Sequence, residues 1–285
     1  MNNQGTGKVW LITGASSGFG RAMAEEAARR GDRVVATARS LESLRDLVAV
    51  DPARISGFAL DVTKDGDARR VVEFARARFG SIDVVVNNAG YCIVGAVEET
   101  SDAELRAVME TMFFGAAALT REIVPLFREQ KSGTIVQVSS MGGLVSPPGF
   151  SAYCAAKHAL EALSESLSAE VAPFGVRVLI VEPGNFRTRL LGGSMRSMPA
   201  IDAYAPSVGP TRSFVSQWDG RQPGDPEKAA RAIVDAVLAE SSPLRLPLGA
   251  DAVEGIRRTL AAIAADIDRS ESVAVATTFD EEARH

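Results

Sequence analysis

Cysteine and histidine are scarce in this chain. Cys92 and Cys154 are the only cysteines among 285 residues, and His158 and His285 the only histidines. Two cysteines supply no disulfide framework and fit a reducing cytoplasm. Positive charge is not in excess: the formal net charge is -5, which disfavours nonspecific binding to nucleic acid or anionic membranes. No apolar run reaches the ~18 residues needed to cross a bilayer. The segment Met1 to Lys8 is polar and lacks the apolar region of a signal peptide. These absences point to a cytoplasmic protein with neither a nucleic-acid nor a membrane partner, and no metal site is assigned. Aromatic residues make up only 6%, whereas hydrophobic side chains reach 46%. That composition suits one large core with tight helix–sheet packing, although the length alone also allows two domains.

What is present begins with a short apolar run, Lys8 to Thr13, followed by Gly14-Ala15-Ser16-Ser17-Gly18-Phe19-Gly20. An alanine-rich helical stretch then runs to Arg30, with Gly31 placed as its C-terminal cap. Strand, glycine turn and helix in that order make a phosphate cradle. Glycines let the backbone approach a pyrophosphate, and the helix N-terminus offers free N–H groups. The same turn also matches Gly-x-Ser-x-Gly, the nucleophile elbow of α/β-hydrolases. That chemistry needs a histidine base. His158 directly follows Lys157 and points about 100° away around its helix, and His285 lies in the tail. The hydrolase reading is poor.

A second strand spans Asp32 to Arg39. Dinucleotide folds that select NAD place an acid at the end of this strand to hold the ribose hydroxyl. Here it ends Ala36-Thr37-Ala38-Arg39. A guanidinium without a carboxylate suits a 2′-phosphate, so the sequence leans to NADP. Further strands are expected at Ile55 to Val62, Ile82 to Val86, Thr134 to Val138, Val176 to Val181 and Leu244 to Leu248. Helices alternate with them: Asp67 to Phe79, a long one opened by the capping box Ser101-x-x-Glu104, and one carrying Tyr153. Pro125 should end or bend the long helix. The alternation predicts an α/β fold, a Rossmann-type doubly wound parallel sheet in a single domain over 1–285. Ligands then bind beyond the carboxyl ends of the strands. From 185 to 224 glycines and prolines punctuate scattered large apolar side chains, which reads as a mobile substrate lid suited to apolar substrates. Asp225-Pro226 caps another helix. A last helix over 250–270 carries Val253, Ile256, Leu260, Ile263 and Ile267 as one apolar stripe, expected to dock on its own subunit or to serve a partner.

Tyr153 and Lys157 stand one turn apart on a helix. An ammonium beside a phenol favours phenolate and should lower the tyrosine pKa from about 10. A phenol so tuned can exchange a proton with an alcohol or a carbonyl. Ser139 and Ser140 lie at the end of the strand before it.

Together, Thr13-Gly14-x-x-x-Gly18-x-Gly20, Asn87-Asn88-Ala89-Gly90, Ser140, Tyr153-x-x-x-Lys157 and Pro183-Gly184 resemble the short-chain dehydrogenase/reductase family, in its order and spacing. The resemblance implies that Tyr153 is the general acid/base, that Ser140 orients the substrate oxygen and that Lys157 holds the nicotinamide ribose. It places the cofactor against Gly14, Ser16, Ser17, Gly18, Phe19 and Gly20, with Asp61, Asn88, Ala89 and Gly90 further along the same site. Pro183, Gly184, Phe186 and Thr188 complete the set, the threonine holding the carboxamide. Lacking an acid beside Arg39, the chain resembles the NADP-preferring members. The resemblance also implies a homodimer or homotetramer acting on a small carbonyl or alcohol. One departure stands out. The family's Asn-x-x-Gly asparagine, which supports a water of the proton relay, is replaced by Met112 ahead of Gly115. A thioether is a weak acceptor and no donor. The relay is therefore rerouted, or the protein is a cofactor-binding regulator or scaffold with weak turnover.

Overall fold

The computed structural model describes residues 7–279 of the chain; His285 lies outside them. The first apolar run forms β1 (Val9–Ile12), and the alanine-rich stretch after the glycine turn forms α1 (Gly18–Arg29). The chain continues through β2 (Arg33–Ala38), a short α2 (Arg45–Val50), β3 (Ile55–Ala59), α3 (Asp67–Phe79) and β4 (Val84–Asn87). Strand β5 (Cys92–Val94) and helix α4 (Asp102–Met109) follow, then a π-helical turn at Glu110–Phe114 that runs into α5 (Gly115–Gln130). Next come β6 (Gly133–Val138), α6 (Ser151–Val171), β7 (Val176–Pro183), β8 (Met195–Ser197), α7 (Ala205–Trp218), α8 (Pro226–Leu238), β9 (Arg245–Leu248) and α9 (Ala250–Val275).

Seven of these strands pair in parallel in the order β3-β2-β1-β4-β6-β7-β9. The expected doubly wound Rossmann-like sheet is present. Side-chain alternation divides its core into two layers. Trp10, Ile12, Val34, Val84 and Val136 face Met23, Ala24 and Ala27 of α1 and Ile233 and Val234 of α8. Leu11, Val35, Val85, Ile135 and Ile180 face α3, α5 and α6, where Val71, Ile123 and Leu167 meet them. Strand order reverses between β1 and β4, so a crevice opens there at the carboxyl ends of the strands.

Four local features differ from the sequence expectations. Pro125 does not end the long helix, whose last segment α5 runs through it to Gln130, where the sequence expects it to finish. The capping box is only half made: the Glu104 N–H donates to Ser101 Oγ at 3.2 Å, while Glu104 Oε2 accepts from Arg196 instead. The 185–224 stretch holds β8, paired with β5, and helix α7. Pro206 sits in the first turn of α7, where a missing N–H costs nothing, and Pro210 forfeits a single bond. Finally, α9 extends to Val275, but its stripe docks only at the start. Ile256 is buried, whereas Leu260, Ile263 and Ile267 are each at least half exposed. Beyond the second turn the stripe is therefore left half open among the described residues.

Candidate active site

The crevice is a cleft of about 860 Å³. It is lined by Gly14, Ser16, Ser17, Gly18, Phe19, Arg39, Asp61, Asn88, Ala89 and Gly90 along one side, and by Ser140, Tyr153, Lys157, Pro183, Gly184, Phe186 and Thr188 on the other. Every assigned site residue except Gly20 therefore lines one space. Gly20 lies just behind the turn: a Cβ there would stand 2.5 Å from the Gly14 carbonyl and 2.6 Å from Asn88 Nδ2. His158 is exposed on the outside of α6, its Nδ1 2.9 Å from the Cys154 carbonyl. No histidine of the described residues lines the cleft, and the nucleophile-elbow reading has no base.

The glycine turn is set by backbone geometry. Gly14 and Gly18 adopt φ of 66° and 55°, a region costly for residues with a Cβ. A latch from the fourth strand holds the turn closed. Thr13 Oγ accepts from the Asn88 and Ala89 N–H groups at 2.9 and 3.0 Å. Asn88 Nδ2 donates to the Thr13 and Gly14 carbonyls at 2.8 and 3.1 Å. Asn88 thus spends its amide nitrogen on the turn and supports the cradle from behind. Thr13 is the functional partner missing from the sequence reading beyond its place in the motif. Across the cleft, Phe19 and Phe186 meet edge to face at 5.2 Å, and Thr188 packs against Gly18. Asp251, in the first turn of α9, accepts from Asn185 N at 2.7 Å and Nδ2 at 2.8 Å and so anchors the strand end that carries Gly184. Its position far along the chain gave no local signal.

At the adenosine end, Asp61 Oδ1 accepts from the backbone N–H and hydroxyl of Thr63 at 3.1 and 2.8 Å. Burial raises its pKa, but those bonds and the charges of Lys64 and Arg39 leave it below the ordinary value. Arg39 therefore has a carboxylate in its neighbourhood within the cleft, although none follows Ala38 in sequence.

The catalytic end is governed by burial. Lys157 is 5% exposed and donates to the Val138 carbonyl at 2.7 Å, with Nζ 5.8 Å from the centre of the Tyr153 ring. Burial drives its pKa down to about 8 against the pull of Glu161 and Cys92. Tyr153 does not show the lowered pKa expected from the sequence. Burial pushes the phenol up, Cys92 and Cys154 add to that, and only the Ser140 hydroxyl opposes it. Desolvation governs both groups, and the phenol keeps its proton. Ser140 Oγ accepts from the Gly142 N–H at 3.0 Å, and a Cβ on Gly142 would touch both Tyr153 and Ser140. The missing side chain leaves room there for the Tyr153 ring edge and the Ser140 hydroxyl.

Met112 sits in the π-helical turn, 1% exposed, in one apolar cluster with Cys92, Tyr153 and Ala156. Its sulfur lies 3.1 Å from where a Cβ of Gly90 would be. π-Turns insert one extra residue into a helix and gather at functional walls. This one brings a thioether to the cleft at the position where the family resemblance expects an amide.

Comparison with known proteins agrees with this geometry. The family profile described as short chain dehydrogenase matches residues 8–198. The oxidoreductase BOA17 of Botryotinia fuckeliana is 40% identical over 248 residues, covering 87% of this chain and 90% of that one. A crystal structure of a short-chain dehydrogenase from Streptomyces avermitilis superposes with a TM-score of 0.90 at 51% identity, over 95% of this chain and 100% of that one. The 3-ketoacyl-(acyl-carrier-protein) reductase of Brucella melitensis, complexed with NADH, gives 0.72 at 26% identity, over 85% and 96% of the two chains.

Proposed function

This chain belongs to the short-chain dehydrogenase family, and on that premise we propose that it is an NADP(H)-dependent oxidoreductase interconverting a secondary alcohol and a ketone or aldehyde, with Tyr153 as general acid/base. The observation that carries the reading is that Ser140, Tyr153 and Lys157 share one cleft with a glycine turn whose Gly14 and Gly18 need positive φ. The residues fit a dinucleotide. The turn leaves no room for a Cβ at Gly14, where it would stand 2.9 Å from Ala89 Cα, and the N-terminus of α1 opens onto the same space. When bound, the nicotinamide cofactor supplies or accepts the hydride. The protein's own part is positional. Ser140 orients the substrate oxygen, Tyr153 gives it a proton, and Lys157 keeps positive charge beside the phenol. A phenol with a raised pKa keeps its proton at neutral pH, ready for transfer to a carbonyl oxygen.

Support for NADP(H) over NAD(H) is Arg39 in the cleft without an acid at the end of β2. Asp61 nearby, and the NADH held by the Brucella reductase, weigh on the other side. The segment 185–224 is proposed as the substrate lid: Leu190, Leu191 and Met195 line the cleft and suit apolar carbonyl compounds. A cofactor-binding protein with weak turnover is the second reading, and buried Met112 is what favours it. Consumption of NADPH and of NADH with a panel of ketones and aldehydes tests both. Faster turnover with NADPH is expected. Tight cofactor binding with no oxidation by any carbonyl would select the binder.

A further inference from the structure

The last helix leaves the body of the protein. Ala252, Gly255 and Ile256 are buried at its start. From Arg257 to Val275 every residue is exposed except Thr259 and Ala265, which are half-buried. At about 1.5 Å per residue that is roughly 28 Å of helix standing clear of the domain. Helices in proteins owe most of their stability to the packing of one apolar face, and here such a face is open. Val253, Ile256, Leu260, Ile263, Ile267, Ser270 and Ala274 follow one another at alternating steps of three and four, which is a heptad seam. Beyond the docked first turns, Leu260, Ile263 and Ile267 are 51%, 50% and 61% exposed. Residues 1–6 and 280–285 supply no leucine, isoleucine, valine or phenylalanine to cover them.

The charges beside the seam select what can cover it. Arg257 and Glu271 each directly follow a seam residue, so they flank it on one side, near opposite ends of the free stretch. Asp266 precedes Ile267 and flanks the seam on the other side. Among the described residues the ion pairs of α9 are limited to Arg269 with Asp266, which leaves Arg257 and Glu271 available. A parallel copy of the helix would bring Asp266 against Glu271 of the partner subunit, two like charges. An antiparallel copy reverses the pattern. With Ile263 packed on the partner's Ile267, Arg257 comes opposite the partner's Glu271, and symmetry repeats both contacts. Asp266 then meets its own copy across the axis, and Arg269 beside it offsets that like charge. This packing centres the pair on position 265, next to the middle of the free stretch. The segment from Arg257 to Val275 is then covered almost from end to end.

We propose that α9 is a self-association surface, on which Leu260, Ile263 and Ile267 pair antiparallel with the same seam of a second copy of this chain. The Arg257–Glu271 pairs set the direction. A two-fold pair of this kind is self-complementary and closes on itself. The family resemblance implies a homodimer or homotetramer without naming a surface; α9 supplies one, whatever the cleft reduces.

Sedimentation of the full chain over a range of concentrations reads the assembly. Ile267→Asp places a carboxylate on the seam at a position already exposed in the subunit. The fold should survive, seen in an unmoved thermal midpoint at low protein concentration, while the assembled mass falls by half. Arg257→Glu turns both ion pairs into repulsions and should weaken association by about tenfold. Adding Glu271→Arg to it should restore most of that loss. Ala264→Cys lies beside the axis and should be joined to its copy by a short bismaleimide, whereas Ala261→Cys, turned away from the seam, should not. Cys92 and Cys154 are buried and do not compete. An unchanged mass for Ile267→Asp, equal cross-linking at the two positions, or a charge swap that restores nothing overturns the proposal. If Ile267→Asp does not fold, the cross-linking contrast in the otherwise wild-type chain decides alone. A wild-type chain that stays monomeric and floats with vesicles of phosphatidylcholine and phosphatidylglycerol also overturns it, and gives the stripe to a lipid surface.

Discussion

The two ends of the cleft are built by different means. At the glycine turn the backbone sets the site: Gly14 and Gly18 at positive φ, Gly20 with no space for a Cβ, and Thr13 and Asn88 latching the turn through main-chain atoms. At the catalytic end burial sets it, lowering Lys157 to about 8 and raising Tyr153. A backbone-built site should be intolerant of volume and indifferent to pH. A burial-built site should tolerate neutral substitutions of similar size while its activity follows pH. The contrast separates cofactor binding from proton transfer, and each can be perturbed without the other.

The sharpest separation comes from Tyr153→Phe. Loss of a positioned acid costs on the order of 10² to 10⁴ in rate, whereas the cofactor affinity, measured by fluorescence, should barely change. Full reduction by the Phe variant with cofactor bound would remove the proton donor from the mechanism. The complementary experiment is Gly20→Ala. Its Cβ would meet the Gly14 carbonyl and the Asn88 amide, and forcing such a contact costs about 1–3 kcal/mol. Cofactor affinity should fall up to about a hundredfold, with the pH dependence of the residual rate unchanged. Unaltered affinity in a folded variant would mean that the turn yields, and that the backbone does not define this end.

The same contrast explains what could be read from the sequence. Glycine spacing, strand–helix alternation and the Tyr153–Lys157 step are local patterns, and the structure brings them into one cleft. Two features depended on partners far along the chain. Asp251 anchors Asn185 across 66 positions, and Arg245 reaches Glu161 across 84. The direction of the Tyr153 shift depended on how deeply the helix is buried, which spacing does not encode. Helix α7 was hidden by Pro206, which is tolerated in the first turn, and by Pro210, which lies inside the helix at the loss of one bond. The π-turn at Glu110–Phe114 had no compositional mark.

Arg39 probes the adenosine end. Arg39→Ala with Ala38→Asp removes the guanidinium and adds a ribose acceptor beside Asp61. A charge-assisted contact contributes roughly 1.5–3 kcal/mol, so the ratio of NADP to NAD dissociation constants should shift by about tenfold or more toward NAD. Should the ratio stay put, Arg39 is a rim charge and the cofactor preference must be set elsewhere.

Met112→Asn should have the smallest effect, and it tests the boundary between the two ends. The wild-type reduction rate should fall as pH rises through about 8, because Lys157, with its pKa pushed down by burial, is an ammonium below that value and neutral above it. Met112 packs with Tyr153 and against Gly90, where an amide could hold a water near the phenol. If proton supply limits the present site, the asparagine should raise kcat by less than about tenfold, a fraction of what a positioned acid contributes. The gain should be largest on the alkaline side, where the phenol depends most on resupply. The opposing cost is a buried amide with no partner in a turn shaped for a thioether, worth about 1–3 kcal/mol of stability. The measurement is kcat against pH for both proteins, with thermal midpoints alongside. A lowered midpoint with an unchanged profile would show that Met112 is packing alone and that protons reach Tyr153 by another path. A raised kcat would mean that the π-turn wall restricts the rate.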